Sequence, residues 1–457
     1  NMMNNNNNMN MMNNNNNMNM MNNNNNMLNN NNNMNMNNNM NMMNNNMNMN
    51  MNNNMNFNNN MNQINNMINC PFKGINNNTF INGIEETSFI NSVLQAFSCL
   101  SCVKNWFVLL NGKREVLFTD SNSSITKEMY FVLSSFFMGK QPDSSNTILH
   151  FINKFKTLYN SEINSDPIDF IKYFLEILHF ENNNPLNLNY DINQLNGLNL
   201  QNRRNNIYVF NIFNDYMKQT QNSFISNFFF NIIKYEMKCQ NCNSYFNYNH
   251  KTILEFDMDL YRKYRDLAFP QKACMNLNMD ECFTNYIGGN KNNCIYCNNS
   301  GFIYSKISIP SKVLIISFKR SNHNYSCDID FDQKINIVKY CSKENLNGIN
   351  SNTIYNLKAC IALNNNNRYL ADVLINNFWY RFINDEVNML GNVNNDIHIF
   401  EPQILIYELD TSMQDNQMQK MMFMKIQQNN IKMMQQQMMM KNNMMKLEIA
   451  KILNGQK

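Results

Sequence analysis

Apolar positions recur at helical spacing from Asn91 onward, where Val93, Leu94, Phe97 and Leu100 share one face. The approach, Gly83 to Thr87, reads as an irregular turn, and Ser88 sits where the chain enters the helix. Lys127 to Phe137 and Thr147 to Leu158 also read as helices. Asp166 to Phe180 is a stronger case. Asp166 suits the N-cap and Pro167 the first turn, and Phe170, Ile171, Phe174, Leu175 and Leu178 form one apolar stripe. From Phe224 onward the pattern becomes mainly strands, rich in Ile, Phe, Tyr and Val and broken by Asn and Gly turns. Ser311 to Lys319 is an almost unbroken apolar run, as expected of a strand buried on both faces. Helices first and a sheet afterwards predict an α+β domain.

The flanks differ from this pattern. Residues 1–70 are almost wholly Asn and Met, with no apolar period to build a core, and read as a disordered tail. Composition shifts at Cys70-Pro71-Phe72, so the folded domain is expected to span 73–410. Asn182 to Asn206 reads as a polar surface insertion. Residues 411–457, rich in Met, Gln and Lys, read as a helical or disordered tail.

Composition narrows the function classes. A net charge of +4 in 457 residues gives no strong pull toward nucleic acid or an anionic membrane. No apolar run reaches the length of a transmembrane helix, and no basic-then-apolar leader is visible. The expectation is an intracellular protein, cytoplasmic or nuclear. Its twelve cysteines are then reduced thiols or metal ligands.

Two C-x-x-C pairs carry the most specific chemistry. Cys239 and Cys242 lie in M-K-C-Q-N-C, and Cys294 and Cys297 in N-N-C-I-Y-C. Each pair can present two thiolates on one turn, and two such knuckles complete a tetrahedral Zn2+ site. A closed four-cysteine site is a structural staple without an open coordination position. Here the intervening strands must form a long, hairpin-like finger. Cys274 and Cys282 fall outside this spacing. Ser88 is the second candidate, because a helix N-terminus suits a nucleophile or an anion. The plainer reading is that Ser88 or Ser92 caps a core helix.

The stretch T-S-F-I-N-S-V-L-Q-A-F, Thr87 to Phe97, resembles the T-C-Y-M-N-S-x-L-Q-x-L box of the ubiquitin-specific proteases. In that family the Cys is the nucleophile of a papain-like triad with His and Asp or Asn. Other blocks resemble the family in the same order. Asp166 to Leu175 is similar to its Q-D-A-x-E-F-L helix, and Phe224 to Cys242 to the segment entering the first zinc knuckle. K-I-S-I-P-S-K-V-L-I-I-S-F-K-R, Lys306 to Arg320, follows the second knuckle as P-x-V-L-I-I-x-L-K-R-F does. Tyr355 to Cys360, Trp379 to Val387 and Gln403 to Leu409 are similar to the last three strands. The resemblance covers roughly 73–410. It implies a right hand of thumb, palm and zinc-stapled fingers, the fingers at about 226–310, cradling ubiquitin.

The chain departs from the family at the catalytic positions. The nucleophile position holds Ser88, and a hydroxyl is a far weaker nucleophile than a thiolate unless a base activates it. Where the family has G-H-Y-x-A-Y this chain has R-Y-L-A-D-V, which places Arg368 at the base position. A guanidinium stays protonated and cannot accept a proton. The third triad position falls on Ile383 in direct register, or on Asn384 with a one-residue slip. The oxyanion donor position falls on Gly83 beside Asn82, or on Asn77 if an insertion divides the box. None of the five histidines occupies the base position. Cys99 and Cys102 fall late in the helix, where nothing lowers a thiol pKa.

The expected function is therefore a catalytically inactive relative of these proteases, binding ubiquitin or a ubiquitinated protein, or acting as a scaffold for protein partners. One alternative is an active thiol isopeptidase with a displaced nucleophile. Another is a zinc-ribbon nucleic-acid binder, against which the weak net charge and the lack of a basic cluster near the knuckles both argue.

Overall fold

The computed structural model describes residues 88–112, 124–138, 150–155, 157, 166–187, 190, 193–272, 275–320, 329–342, 353–364, 368–383, 386–392 and 402–411. The two terminal tails expected from composition lie outside these, as do Cys70, Asn77, Asn82, Gly83, Cys274, His323, Asn384 and His398.

The helical half comes first. Helix α1 (Ser88–Ser98) is buried along its whole length. It begins at Ser88 itself, three residues before the apolar period starts. Its serines bond back to their own helix, Ser92 Oγ to the Phe89 carbonyl at 2.9 Å and Ser98 Oγ to the Gln95 carbonyl at 2.7 Å. That satisfies polar groups on a helix with no solvent face. A short break at Cys99-Leu100 leads into α2 (Ser101–Gly112). Glu408 of the last strand caps this second helix by accepting from Ser101 N at 2.9 Å and Cys102 N at 3.3 Å.

Helix α3 (Ile125–Met138) is capped by Glu181, which accepts from the amides of Ile125 and Thr126 at 2.8 and 2.7 Å. Glu181 belongs to α4 (Pro167–Asn182), which starts as its sequence predicts: Asp166 accepts from Ile168 N at 2.7 Å and Pro167 opens the first turn. Of the expected Thr147–Leu158 helix, 150–155 and 157 are described and are helical. Two single turns, Asn193–Asn196 and Leu200–Arg203, precede α5 (Asn206–Thr220) and α6 (Phe224–Phe229). Aromatic rings knit these helices together. Phe97 stacks on Phe229 at 5.7 Å and meets Phe174 edge-on at 5.9 Å. Such pairs add about 0.5–1.5 kcal/mol each beyond burial.

The second half is not all strand. A four-stranded antiparallel sheet runs β2-β1-β6-β5, from β1 (Asn231–Cys239), β2 (Asn243–Lys251), β5 (Asn290–Asn293) and β6 (Ser300–Ile309). Between β2 and β5 the chain adds β3 (Ile253–Asp257), α7 (Met258–Ala268), the short β4 (Leu277–Asn278) and α8 (Met279–Ile287). Strands dominate after Phe224, as expected, and these two helices, with α6, are the α-helices that interrupt them among the described residues. Helix α8 carries a capping box in which Asn278 and Glu281 bond reciprocally, so local hydrogen bonding favours a helix there.

The larger sheet runs β13-β12-β11-β10-β14-β7-β3, with β9 (Lys334–Asn336) also paired to β10. It comprises β3, β7 (Val313–Lys319), β10 (Ile354–Leu363), β11 (Tyr369–Ile375), β12 (Phe378–Ile383), β13 (Glu386–Asn392) and β14 (Pro402–Leu409). The two-residue β8 (Ile329–Asp330) pairs with β4 apart from it. Side-chain alternation divides the sheet between two cores. Val313, Ile315, Ile404 and Ile406 face the helical half, while Leu314, Ile316, Leu405 and Tyr407 join the core containing α7 and α8. Strand β7 is buried from Val313 to Phe318, the two-sided burial its apolar run predicts. In β10 a register shift between Leu357 and Ala359 resets the alternation, so Leu357 and Cys360 share one core and Ala359 and Ile361 the other.

Candidate functional site

Helix α1 packs on β10, β11 and β12, and this contact assembles the candidate catalytic positions. Ser88, first residue of the helix, is 1% exposed. Its Oγ accepts a hydrogen bond from Tyr369 N at 2.9 Å. Tyr369 opens β11, and Arg368 is the residue before it. The structure thus brings the nucleophile and base positions of the sequence comparison next to each other, although 280 residues separate Ser88 from Arg368. Arg368 is exposed, and its backbone is tied to Asn364 on both sides: Arg368 N donates to Asn364 Oδ1, and Asn364 N to the Arg368 carbonyl, each at 2.9 Å. Ile383 ends β12, and Asn384 lies outside the described residues.

The second site is built by two turns of the four-stranded sheet. Cys239 ends β1 and Cys242 sits in the turn that follows, where Asn243 takes φ 61°. Cys294 follows β5, and Asn298, at φ 56°, closes its turn by donating to the Cys294 carbonyl at 2.8 Å. Asn tolerates this left-handed region because its short polar side chain bonds locally. Opposite Cys239, a Cβ on Gly301 would lie 2.6 Å from the Lys238 carbonyl oxygen, so only glycine fits this approach. All four cysteine sulfurs lie within 4.8 Å of one another, and those of Cys239 and Cys297 are 3.5 Å apart. Tetrahedral Zn–S bonds of about 2.3 Å place sulfurs about 3.8 Å apart, so the donor set fits this ion. The helical half reaches the knuckle as well. Leu200 packs on the cluster, and the Arg204 guanidinium donates to the Cys242 carbonyl at 2.9 Å.

The sequence profile of the ubiquitin carboxyl-terminal hydrolase family matches residues 80–407. The chain belongs to this family. Its fold is the α+β right hand of the ubiquitin-specific proteases. Solved structures agree at the level of fold. The yeast SAGA DUB module with a mutant Sgf73 aligns at TM-score 0.50 and 14% identity over 74% of this chain and 68% of that chain. The SAGA Ubp8/Sgf11/Sus1/Sgf73 DUB module bound to ubiquitin aldehyde aligns at 0.51 and 12%, over 74% and 69%. No curated protein matches the chain.

A thiol hydrolase of this family needs an accessible, ionisable sulfur. Among the described cysteines outside the four-sulfur cluster, all are buried. Burial pushes the Cys99 and Cys341 thiols up to about 12, and drives those of Cys102 and Cys360 well above their usual range. Cys102 is at the start of α2, not late in a helix as the sequence suggests, but its thiol is destabilised as an anion all the same by burial and by the Glu408 carboxylate. The described histidines have other partners. His179 bonds Ser223 Oγ at 2.6 Å and Gln221 Oε1 at 2.7 Å, and His150 pairs with Glu128 at 2.8 Å. Reading the sequence alone misses the Tyr369 amide and the Arg204 anchor, since neither belongs to a motif.

No single described helix is long and apolar enough to cross a membrane. α1 with Ser101–Leu110 of α2 meets that test only as a pair bent by 86°.

Proposed function

We propose that this chain is a pseudoenzyme of the ubiquitin-specific protease type. It binds ubiquitin or a ubiquitinated protein, or serves as a scaffold for protein partners, without cleaving an isopeptide bond. One observation carries the reading: the nucleophile position is a buried serine whose Oγ accepts the Tyr369 amide proton, beside an arginine that cannot serve as base. The burial of the described cysteines outside the cluster supports it, because it leaves no evident substitute thiolate among them.

On this reading Ser88, Arg368 and Asn384 hold the three former triad positions. Residues 73–410 form the domain, with fingers at about 226–310, and Cys239, Cys242, Cys294 and Cys297 hold a structural Zn2+. A thiolate zinc site suits a reducing compartment, cytoplasm or nucleus. The binding half of the proposal draws on the related module solved with ubiquitin aldehyde. A fingers-and-palm grip depends on surface area and not on the triad.

Calorimetric titration of the purified chain with ubiquitin tests it, alongside cleavage of a ubiquitin–fluorophore conjugate. Binding without cleavage is expected of a ubiquitin reader, and neither binding nor cleavage of a scaffold. Cleavage removes the pseudoenzyme reading.

A further inference from the structure

We propose that the cavity where α5 and α6 meet the roots of β1 and β6 is a docking site for an acidic peptide segment of a partner protein. The peptide seats an apolar side chain on the cavity floor and sets its carboxylates against Lys218 and Lys312. This goes beyond the pseudoenzyme reading and does not depend on it, since none of the lining residues belongs to the catalytic positions or to the zinc knuckle.

The cavity measures about 580 Å³, within the range of ligand sites. Met217 of α5, Phe230 and Ile232 of β1 give it a buried apolar floor, and Leu186, 71% exposed, adds an apolar wall. Hydrogen bonds within the chain fix its sides. On one side Ser311 N donates to Asn231 Oδ1 at 3.0 Å, and the Tyr355 hydroxyl donates to the Ser311 carbonyl at 2.5 Å. On the other, Asn184 N donates to the Asn222 carbonyl at 3.0 Å and Asn187 N to the Gln219 carbonyl at 3.1 Å. A slot already formed spares a ligand the free energy of ordering it.

Charge decides the occupant. Two exposed lysines line the cavity, Lys218 in the last turn of α5 and Lys312 between β6 and β7. Its described lining contains no Asp or Glu. Lys312 Nζ rests over the Phe228 ring at 4.7 Å, which positions the ammonium without neutralising it. Bare carbonyls at a helix C-terminus would repel an anion. At the end of α5, however, the Met217, Gln219 and Thr220 carbonyls accept from Gln221 N, Asn187 N and Asn183 Nδ2. The chain's own tails are poor occupants by charge. Residues 1–72 contain no Asp or Glu, and 412–457 carry seven Lys against one Asp and one Glu.

Panning a random-peptide phage library on the full chain, then titrating the selected peptides by fluorescence anisotropy, tests the site. Peptides that join Asp or Glu to Leu, Ile or Phe should be enriched. K218E/K312E should weaken their binding about tenfold or more. On the wild-type chain, raising salt from about 0.05 to about 0.5 M should weaken it severalfold, so the test does not hang on the folding of a variant. Enrichment of uncharged or basic peptides, no enrichment at all, salt-insensitive binding, or unchanged affinity in a folded K218E/K312E each overturns the proposal. Tighter binding of a synthetic peptide of residues 412–457 would assign the cavity to the chain's own tail. Self-association lost in K218E/K312E would assign it to a second copy. Either result also overturns the proposal. A ubiquitin–fluorophore assay on the same sample bears only on the pseudoenzyme reading: a chain that cleaves and still binds acidic peptides loses that reading and keeps this site.

Discussion

Asp372 and Arg381 face each other in register across β11 and β12, and the guanidinium grips the carboxylate through Nε at 2.8 Å and Nη2 at 2.7 Å. Asp372 has no exposed surface. Burial raises its pKa, while the bond to Asp372 raises that of Arg381. The two shifts pull in opposite senses: desolvation at the acid outweighs what the arginine returns. The pair is thus a specific fit more than a net source of stability.

It follows that R381M, which strands the carboxylate, should cost about 3–5 kcal/mol. The double variant D372L/R381M should recover most of that loss, because no charge is then left in the core. Urea denaturation of the three proteins checks the ordering. A double variant as unstable as R381M contradicts it.

The four-cysteine cluster predicts one Zn2+ per chain by elemental analysis. C294S should abolish retention of the ion and loosen the β1–β2 and β5–β6 turns, with the Arg204 contact to Cys242 lost at the same time. The larger sheet, with its own two cores, should keep its protection in hydrogen exchange. Zinc at full occupancy in C294S would show that these sulfurs are not its ligands.

Between α4 and the root of the four-stranded sheet, Phe230 lies stacked on His250 at 4.2 Å and tilted against His179 at 5.1 Å. His250 borders a cavity of about 380 Å³ that is also lined by Lys172, Glu176, Lys251 and Glu255. Burial, helped by His179, lowers the His250 pKa from 6.5 to about 4. The folded state therefore holds the ring neutral while the unfolded chain takes up a proton first. The stability tied to this group is complete above pH 6.5 and falls away as pH drops through 4, in total on the order of 3 kcal/mol. H250F, which keeps the stack and removes the titration, should flatten the stability profile across that window. Parallel profiles for wild type and H250F would assign the acid sensitivity to other groups, His179 first among them, since burial lowers its pKa too.

Some of this architecture is written in short stretches of sequence. Asp166-Pro167 announces α4 because cap and first turn are local chemistry, and β7 shows itself as an apolar run because both its faces are covered. The C-x-x-C pairs mark the knuckles because two ligands must share one turn. Helix α5 is harder to see. Its buried positions, Val209, Phe213 and Met217, recur every fourth residue, but Asn-rich flanks hide the period. Helices α7 and α8 are short and lie between strands, so their local signals, the Asp257 cap of the first and the Asn278–Glu281 box of the second, are easily passed over in a region that reads mainly as strand. The bond from Tyr369 to Ser88 has no sequence signature, because a backbone amide looks the same in every residue and its partner is 281 positions away.

Reaction of the wild-type chain with ubiquitin carrying a C-terminal electrophile, read by intact-mass spectrometry, tests the central claim most directly. A buried serine without a base predicts that the mass stays unchanged at saturating reagent, while an active thiol hydrolase run in parallel is fully labelled. A ubiquitin adduct on this chain, mapped to any cysteine and lost when that cysteine is replaced, would show that the protein is an enzyme.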